Sequence, residues 1–566
     1  MSGEAAGGTL AELLERRAGD DRPGLLFEDR AWSWREYVAE CRARAAWMDG
    51  RAREPGRTRE PDRTRETGRT REPDRTRETG ARRRPLHVGV LFDNVPEMLF
   101  LLGGAALSGH VVVALNPTRG PAELAGDADA ADVGPILHDP AYADLAAQVT
   151  ALRQGPPGTA RAAPLSSSSS PPGPDGLVML IFTSGTSGRP RAVRVTQRKI
   201  AVPGVSLGAL LSPQDVVYCA MPLFHSGAIM AAYAPALASG AALALRRKFS
   251  ASGLMADVRR YGVTYLHYVG KALSYVLATP ESPDDRDNPL KIAFGNEGSA
   301  TAVRRFGERF GCHVIDAFGS TETAIAITPD PSGPPGSLGR LPEGVEIRDP
   351  AGRRCPPAII ENGRLLNADE AIGELVNTGG LGLFDGYYND PEADRERVRD
   401  GEFWSGDMAY ADEKGYVFFA GRGTERLRVD GENLAVAPIE AVVREFPGVV
   451  EAAVYPVPDA AAGDQVMAAL VMEGPFDPGA FADFLAGRPE IGAKAVPRYV
   501  RTAAELPQTP SNKIIKRLLA AEAWRTGDPV WWRPPREPGW RRLTPQDVTE
   551  IEQEFARHGR EHLLER

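Results

Sequence analysis

A strand–helix–strand pattern between residues 87 and 117 constrains the fold of this chain more than any other feature. The segment HVGVLFDN, from His87, is typical of a buried strand, PEMLFLLGGAALSG of a helix and HVVVALNP of a second strand. Further strands are predicted at VVYCAM, ALALRR, VTYLHYV, KIAFGN and CHVIDAFG, with helical patterns such as SGLMADVRRYG and ATAVRRFGERFG between several of them. This alternation predicts a large α/β part with a parallel sheet covered by helices.

The pattern changes beyond about Gly421. RLRV, VVEAAVYPV and QVMAALVM predict strands, and PIEAVVREFP and DPGAFADFLAGR predict helices. A chain of 566 residues is too long for one compact core. We therefore expect a large N-terminal domain at residues 1–421 and a smaller α+β C-terminal domain at residues 422–566.

Two low-complexity stretches interrupt the N-terminal part. Residues 57–79 read RTREPDRTRETGRTREPDRTRET, a twelve-residue unit that occurs twice and contains no large apolar residue. Such a segment cannot offset its ordering entropy by burial, which predicts a mobile, solvated insertion at about residues 51–83. A tether for a partner is the alternative. The Ser- and Pro-rich stretch at residues 154–176 is predicted to be a flexible surface loop.

Composition and charge exclude several classes of protein. A net charge of −9 gives no support to nucleic-acid binding. The four cysteines show neither CxxC pairing nor zinc-ligand spacing, which fits reduced thiols in the cytoplasm. The N-terminus lacks the pattern of a secretory signal. The most apolar stretch, at about residues 98–115, is broken by three glycines, Ser108 and His110, which favours a buried helix and strand over a transmembrane segment. Abundant Ala, Arg, Gly and Pro are typical of a high-GC bacterial gene.

The segment LVMLIFTSGTSGRPRAVRV, from Leu177 to Val195, carries the strongest local signal. A buried strand is followed by small and hydroxyl residues whose backbone amides and side chains can close around a phosphate chain. The segment is not a Walker loop, because GxxxxGK followed by Ser or Thr is absent. A flexible turn is the alternative interpretation.

This segment resembles the phosphate loop of adenylate-forming enzymes, the superfamily of acyl-CoA synthetases, luciferases and peptide-synthetase adenylation domains. Other segments similar to the family's motifs follow in order: MPLFHSG, IDAFGSTETA, FDGYYNDPEADRERVRDGEFWSGDMAY, GRGTERLRVDGENLAVAPIE and PQTPSNKIIKRLL. The resemblance implies parallel-sheet subdomains and a smaller β subdomain in the N-terminal domain, with a mobile C-terminal domain. It also implies ATP, Mg2+ and coenzyme A as the molecules that these motifs bind.

The resemblance implies roles for individual residues. His225 would line the acyl site near the adenylate, and Glu322, with Thr186, would hold the magnesium ion. A glutamate beside a polyphosphate requires such a cation, since like charges repel. The residues implied to bind the nucleotide are Thr183, Ser184, Gly185, Thr186, Ser187, Gly188, Arg191, Gly295, Asn296, Glu297, Phe318, Gly319, Ser320, Thr321, Asp407 and Arg422.

Further roles fall in the C-terminal part. Lys513 stands at the position of the family's catalytic lysine, whose cation can stabilise the negative charge that moves as a carboxylate attacks the α-phosphate. Glu425 falls at the interdomain hinge, about which the small domain rotates between two half-reactions. Gly431, Glu432 and Asn433 match a loop near the coenzyme A channel.

The sequence departs from the family pattern at five positions. Arg191 stands where Lys is usual, Ser187 where Thr is commoner, Ala192 where Gly is commoner, Glu425 where Asp is usual and Phe318 where Tyr is usual. None of these departures deletes a charge, but an arginine fork does not reproduce the contacts of an ammonium. A weak adenylating half-reaction is therefore left open.

Several segments are similar to the fatty-acid-transport-protein-like branch of very-long-chain synthetases. They are VTYLHYVGKALSYVL, KIAFGNEGSATAVRRFGERFG and the tail DPVWWRPPREPGWRRLTPQDV. This similarity implies an acyl-CoA ligase for a long-chain or bulky polycyclic, terpenoid-like acid. Two alternatives remain: an enzyme that forms only the thioester, from an acyl-adenylate supplied by a partner enzyme, and a non-catalytic fatty-acid binding or uptake protein. The acid itself, a carrier-protein thiol as acceptor and a homodimer are also left open.

Overall fold

The computed structural model describes residues 8–53, 85–154, 173–184, 190–361, 364–422, 427–429, 432–488, 490–508, 514–535, 537 and 539–564. The repeat at residues 57–79 and most of the predicted loop at residues 154–176 lie outside them. The ends of both predicted low-complexity stretches belong to helices, because residues 51 and 52 complete one helix and residue 154 completes another.

The first third of the chain forms helices and strands whose ends follow ordinary capping rules. The first helix begins after Thr9, whose side chain accepts from the Glu12 N–H while the Glu12 carboxylate accepts from the Thr9 N–H. The third begins at Pro96 and ends before Gly109, which has a positive φ of 75°. The elements are α1 (Leu10–Arg17), β1 (Pro23–Phe27), β2 (Arg30–Ser33), α2 (Trp34–Ala52), β3 (His87–Leu91), α3 (Pro96–Ser108), β4 (Val111–Ala114), α4 (Pro121–Ala130), β5 (Ile136–His138), α5 (Ala143–Gln154), β6 (Leu177–Ser184) and β7 (Pro190–Thr196).

The next part continues the alternation of helices and strands that the sequence predicts. A π-helical turn at Ile229–Tyr233 joins two short α-helices into one continuous helix. The elements are α6 (Gln197–Gly208), β8 (Val216–Cys219), α7 (Ser226–Ala228), α8 (Ala234–Ser239), β9 (Ala242–Leu245), α9 (Leu254–Tyr261), β10 (Tyr265–Val269), α10 (Ala272–Leu277), β11 (Ile292–Asn296), α11 (Ala300–Phe310) and β12 (His313–Asp316).

Two sheets organise these elements. One has the strand order β5-β3-β4-β6-β7, and the other has the order β12-β11-β10-β8-β9-β1-β2. Both are parallel except at one edge, where β7 pairs antiparallel with β6 and β2 with β1. Helices from both sheets share one apolar core in which Tyr37 and Tyr233 are hydrogen-bonded to each other. The predicted parallel α/β class is confirmed. Ligands bind at the carboxyl ends of strands in such sheets, and the predicted motifs follow the carboxyl ends of β6, β10, β11 and β12.

A smaller, mainly antiparallel β unit follows. Its principal sheet has the order β15-β22-β21-β19-β16, with β20 paired to β21. The elements are β13 (Phe318–Gly319), β14 (Ala326–Ile327), β15 (Gly339–Arg340), β16 (Val345–Arg348), β17 (Ile360–Glu361), β18 (Arg364–Leu365), α12 (Ala368–Ala371), β19 (Gly373–Asn377), α13 (Pro391–Arg397), β20 (Val398–Arg399), β21 (Glu402–Ala411) and β22 (Tyr416–Arg422).

The last part of the chain is the predicted α+β unit. Its five-stranded sheet has the order β25-β26-β27-β28-β29 and separates two apolar cores, one on each face. The elements are β23 (Leu427–Val429), β24 (Glu432–Leu434), α14 (Val436–Arg444), β25 (Val449–Pro458), β26 (Asp464–Met472), α15 (Pro478–Ala486), β27 (Tyr499–Thr502), α16 (Lys516–Glu522), β28 (Val530–Trp532), β29 (Arg541–Arg542) and α17 (Pro545–Arg557). The domain boundary at residues 421 and 422 stays a prediction.

The described residues contain no helix that is both long and apolar enough to cross a membrane. The apolar helix α3 has 13 residues and packs inside the N-terminal core.

Candidate functional site

The strands β6 and β7, which flank the predicted phosphate loop in the chain, form an antiparallel hairpin. Thr183 pairs with Arg191, and Ser184 pairs with Pro190, so the two strands run together up to the loop. Gly185, Thr186, Ser187 and Gly188 lie outside the described residues. The hairpin therefore fixes both ends of the predicted loop at the carboxyl end of β6.

Arg191, which replaces the usual lysine of the motif, lies on β7 and is buried. It is only 8% exposed, and its guanidinium lies 2.5 Å from the Glu396 carboxylate and 5.5 Å from the centre of the Tyr387 ring. A paired, stacked guanidinium is a typical use of an arginine fork. The positive charge of Arg191 is thus already balanced by a protein carboxylate.

Tyr387 links this hairpin to Glu322. The Tyr387 hydroxyl donates to Oε1 of Glu322 at 2.9 Å, and the Lys199 ammonium donates to the Glu322 carbonyl oxygen at 3.0 Å. The next residue, Thr323, has a φ of 57°, which is unfavourable for a β-branched side chain. Contacts from two sides therefore hold Glu322 in a strained loop beside the phosphate hairpin.

Lys199 contacts this loop through its side chain, and no sequence motif predicted it as a site residue. It is fully buried in the first turn of α6, 5.8 Å from the centre of the Phe384 ring. Burial lowers the pKa of Lys199 to about 8, while Asp385 and Glu322 oppose this shift. A lone lysine at the start of the apolar run KIAVPG was the available signal.

The predicted acyl-site histidine begins the helix that contacts the same loop. His225 is the N-cap residue of α7, and its ring lies 4.7 Å from that of Phe224. The neighbouring Ser226 hydroxyl is 3.1 Å from the hydroxyl of Thr321. The segments MPLFHSG and STET, 95 residues apart in the chain, therefore meet.

The predicted nucleotide segment Gly295–Asn296–Glu297 forms the carboxyl end of β11. A Cβ atom at Gly295 would lie 2.1 Å from the carbonyl oxygen of Tyr268, so only glycine fits there. Oδ1 of Asn296 is buried and accepts no hydrogen bond from the described residues. Glu297 has a φ of 64°, a turn that carries the chain away from the sheet.

Asp316 joins this segment to the AFGSTE loop. Its Oδ2 accepts from the Tyr268 hydroxyl and from the Gly298 N–H, both at 2.7 Å. Burial raises the pKa of Asp316 to about 6, although these two hydrogen bonds favour the charged form. Asp316 lies in the segment IDAFGSTETA, but it was not predicted as a site residue.

The remaining nucleotide-binding candidates of the N-terminal part lie on the β unit or at its border. Phe318 and Gly319 form β13, and the Phe318 ring packs 6.1 Å from that of Phe419 on β22. Ser320 accepts from the N–H of Thr323, which closes the loop. On β21 and β22, Asp407 is 7% exposed and pairs with Arg422, whose Nε lies 3.3 Å from its carboxylate.

The C-terminal candidates are only partly described. Glu425, Gly431 and Lys513 lie outside the described residues, while Glu432 and Asn433 belong to strand β24. Lys513 directly precedes Ile514, which forms an antiparallel bridge with Gln508. The two ends of the short segment that contains Lys513 are therefore held together.

Models of two related families match the chain. That of the AMP-binding enzyme matches residues 77–388, and that of the AMP-binding enzyme C-terminal domain matches residues 438–513. The chain is 42% identical to steroid-22-oyl-CoA synthetase from Rhodococcus jostii (strain RHA1), over 98% of this chain and 99% of the relative. It is 46% identical to the medium/long-chain-fatty-acid–CoA ligase FadD17 from Mycobacterium tuberculosis, over 92% of this chain and 98% of the relative.

Solved structures share the fold at lower identity. The chain superimposes on ATP-bound MatB from Rhodopseudomonas palustris with a TM-score of 0.71 and 22% identity, covering 90% of this chain and 97% of that one. For the O-succinylbenzoate coenzyme A synthetase MenE from Bacillus subtilis in complex with AMP, the TM-score is 0.68, also at 22% identity, with 90% and 97% coverage.

Proposed function

Because the chain belongs to the AMP-binding enzyme family, we propose that it is an ATP-dependent acid–thiol ligase that converts a bulky or long-chain hydrophobic carboxylic acid into its acyl-CoA. The observation that carries the proposal is the match along 98% of the chain to a CoA synthetase, at 42% identity. The contacts among Arg191, Tyr387, Glu322 and Lys199 support it, because they bring the phosphate hairpin and an acidic residue together.

The reaction has two steps on one carbonyl group. A carboxylate oxygen attacks the α-phosphorus of ATP, the bond to pyrophosphate breaks, and an acyl-adenylate forms. The sulfur of coenzyme A then attacks the carbonyl carbon, the thiol proton leaves, and AMP departs with the electron pair of the broken C–O bond. The first step creates the good leaving group that the free carboxylate lacks.

The nucleotide fits the groups that the described site offers. The buried Oδ1 of Asn296 lacks a donor among the described residues, and an adenine amino group would supply one. Asp407, held by Arg422, would accept from the ribose hydroxyls. We assign the phosphate chain to the hairpin loop at residues 183–188.

A magnesium ion fits the donor set as well. The Glu322 carboxylate and the Thr186 hydroxyl are hard oxygen donors of the kind that Mg2+ prefers alongside phosphates. When bound, the ion would neutralise charge on the phosphate oxygens. Tyr387 and Lys199 orient Glu322 for this role, and Lys513 would stabilise the charge that develops at the α-phosphate.

The acid is proposed to enter beside α7. Gly227 on this helix packs directly on β10, since a Cβ atom there would lie 2.8 Å from Nε2 of the buried His267. The two relatives are named for a steroid acid and for medium- to long-chain fatty acids. We therefore propose an apolar acid of this size, either polycyclic or long-chain.

A panel of acids tests the proposed function. Purified protein is mixed with ATP, Mg2+, coenzyme A and either a steroid with a side-chain carboxylate, dodecanoate, hexadecanoate or the small polar acid malonate. Mass spectrometry should detect acyl-CoA and equimolar AMP with at least one apolar acid and not with malonate. Absence of acyl-CoA with every apolar acid would refute the proposal.

An enzyme that forms only the thioester remains the second candidate. The observation that favours it is Arg191, whose charge is paired with Glu396 and so is less available to a phosphate chain. Such an enzyme would make acyl-CoA from a synthetic acyl-adenylate but would release no pyrophosphate from acid and ATP. Acid-dependent pyrophosphate release at a rate that matches acyl-CoA formation would exclude it.

We also propose a cytoplasmic location. It is supported by the four cysteines, all of which are free thiols, with Cys41 and Cys219 buried.

A further inference from the structure

A cluster of four polar side chains joins the C-terminal unit to the end of β10. Glu451, at the start of β25, lies with one carboxylate oxygen 2.7 Å from the Lys271 ammonium and the other 2.6 Å from the Tyr275 hydroxyl. The Gln508 amide donates to both oxygens of Glu451, at 2.8 and 2.9 Å. Lys271 and Tyr275 belong to the large N-terminal part. Their contacts with Glu451 therefore join the two parts of the chain.

The burial of Glu451 and the bulge beside it favour these contacts. It is 5% exposed, and a bulge in the pairing of β25 with β26 falls between Val449 and Glu451. A bulge changes the direction of a side chain relative to a regular strand. A carboxylate this buried requires polar partners, and the N-terminal part supplies an ion pair from the Lys271 ammonium and a hydrogen bond from the Tyr275 hydroxyl.

The cluster adjoins the predicted site on both sides. The Gly270 N–H, one residue before Lys271, donates to the Asn296 carbonyl oxygen at 2.8 Å. Gln508 also forms the bridge with Ile514, the residue that follows Lys513, and the Ile515 N–H donates to the Pro507 carbonyl oxygen at 2.8 Å. Glu451 thus connects Gln508, which precedes the segment that contains Lys513, to Lys271, which follows β10 beside the end of β11 at Asn296.

We propose that Glu451 is a positioning residue that docks the C-terminal unit in the orientation for acyl-adenylate formation and must release Lys271 and Tyr275 before the thioester forms. This inference rests on the proposed two-step function. Polar contacts suit a surface that opens in each cycle, whereas a large apolar interface would hold the two parts together permanently. Loss of the docking contacts lowers the population of the first orientation and leaves the chemistry of the second intact.

Measuring the two half-reactions separately tests the proposal. The variants are Glu451→Gln, Lys271→Met and the double variant, and the control is Glu445→Gln, which removes a 2.8 Å ion pair with Arg488 inside the C-terminal unit. Acid-dependent exchange of pyrophosphate into ATP should fall about tenfold in Glu451→Gln and Lys271→Met, a factor that corresponds to the loss of one charged polar contact. Thioester formation from a synthetic acyl-adenylate should be unchanged or faster, and the double variant should lose little more than either single one.

Hydrogen–deuterium exchange provides a readout that needs no activity. Deuterium uptake should rise in peptides covering α10 and residues 503–508 in Glu451→Gln and should stay at the wild-type level in Glu445→Gln. Unchanged uptake, or equal losses in both half-reactions, would overturn the proposal. If the wild type formed no acyl-adenylate, the proposed function would fail, and the uptake would still decide whether Glu451 docks the two parts.

Discussion

Lys199 is a fully buried lysine whose ammonium holds the backbone of Glu322. A charge in this position costs desolvation free energy, so its replacement by an apolar side chain of similar length need not destabilise the fold. The hydrogen bond to Glu322 would nevertheless be lost, and with it one of the restraints on the strained loop. We therefore infer that Lys199 is a positioning residue for the loop that carries Glu322.

We expect Lys199→Met to lower acid-dependent pyrophosphate exchange about tenfold while the melting temperature stays the same or rises. The reason is that the loop at Thr321–Thr323 loses the donor that fixes it. Exchange kinetics and calorimetry measure the two effects. Lys248→Met, at an exposed lysine, is the control, and unaltered exchange in Lys199→Met would contradict this role.

Asp316 should make stability depend on pH. Because burial raises its pKa to about 6, above about 3.9 in an unfolded chain, the folded protein binds a proton more readily. This contribution is complete below about pH 4 and is lost as the pH rises through 6, on the order of 3 kcal/mol in all. Urea unfolding between pH 4.5 and about pH 7 measures it.

Asp316→Asn should remove this part of the pH dependence, since the amide oxygen can still accept from Tyr268 and Gly298 but does not titrate. Asp287→Asn, at an exposed aspartate, serves for comparison. An Asp316→Asn profile that is parallel to that of the wild type would show that another group causes the dependence.

At the scale of elements, α14, α16 and β25 meet at one buried carboxylate. Glu440 on α14 forms an ion pair with Lys516 at 2.8 Å and with Arg444, and it accepts from the Val454 N–H at 3.0 Å. These groups lower the pKa of Glu440 to about 2 against the opposing effect of burial. The helix that follows Lys513 is therefore anchored to the sheet through Glu440.

We expect Glu440→Ala to destabilise the C-terminal unit by about 3 kcal/mol, because it leaves two cations without their buried partner. Calorimetry should show this as an earlier transition of that unit. Glu554→Ala, which removes an exposed pair with Arg557, should cost less than about 0.5 kcal/mol. Equal melting profiles of the two variants would rule out the anchoring role.

Local pattern predicted the strands and helices with clear apolar periodicity but not their distant partners. The strand at His87, the helix at Pro96 and the strand at Val111 are confirmed, because their apolar periodicity is set by burial on adjacent elements. The hairpin of β1 and β2 was not predicted, since β1 pairs with β9 more than 200 residues away and nothing in PGLLF indicates that partner. For the site, motifs predicted Glu322 and Asp407, and their roles stay predictions, whereas only the packing indicates Lys199.

At the scale of the whole molecule, the proposed nucleotide site lies at the ends of strands from two parallel sheets and the β unit, and polar contacts of Glu451 join the C-terminal unit to the N-terminal part. Gln508, which precedes the segment around Lys513, is hydrogen-bonded to Tyr275 and to Glu451, and Glu451 forms the ion pair with Lys271. The roles of Lys513 and of the hinge at Glu425 stay predictions. The account therefore requires one chain to make and then consume the acyl-adenylate, with Lys513 acting only in the first step.

The most direct test of this requirement compares Lys513→Ala in the two half-reactions, with Arg517→Ala on the exposed side of α16 as the control. Pyrophosphate exchange should fall at least about a hundredfold, the loss typical of a removed charge-stabilising group, while thioester formation from synthetic acyl-adenylate stays within about threefold. Unchanged exchange, or equal losses in both half-reactions, would contradict the account.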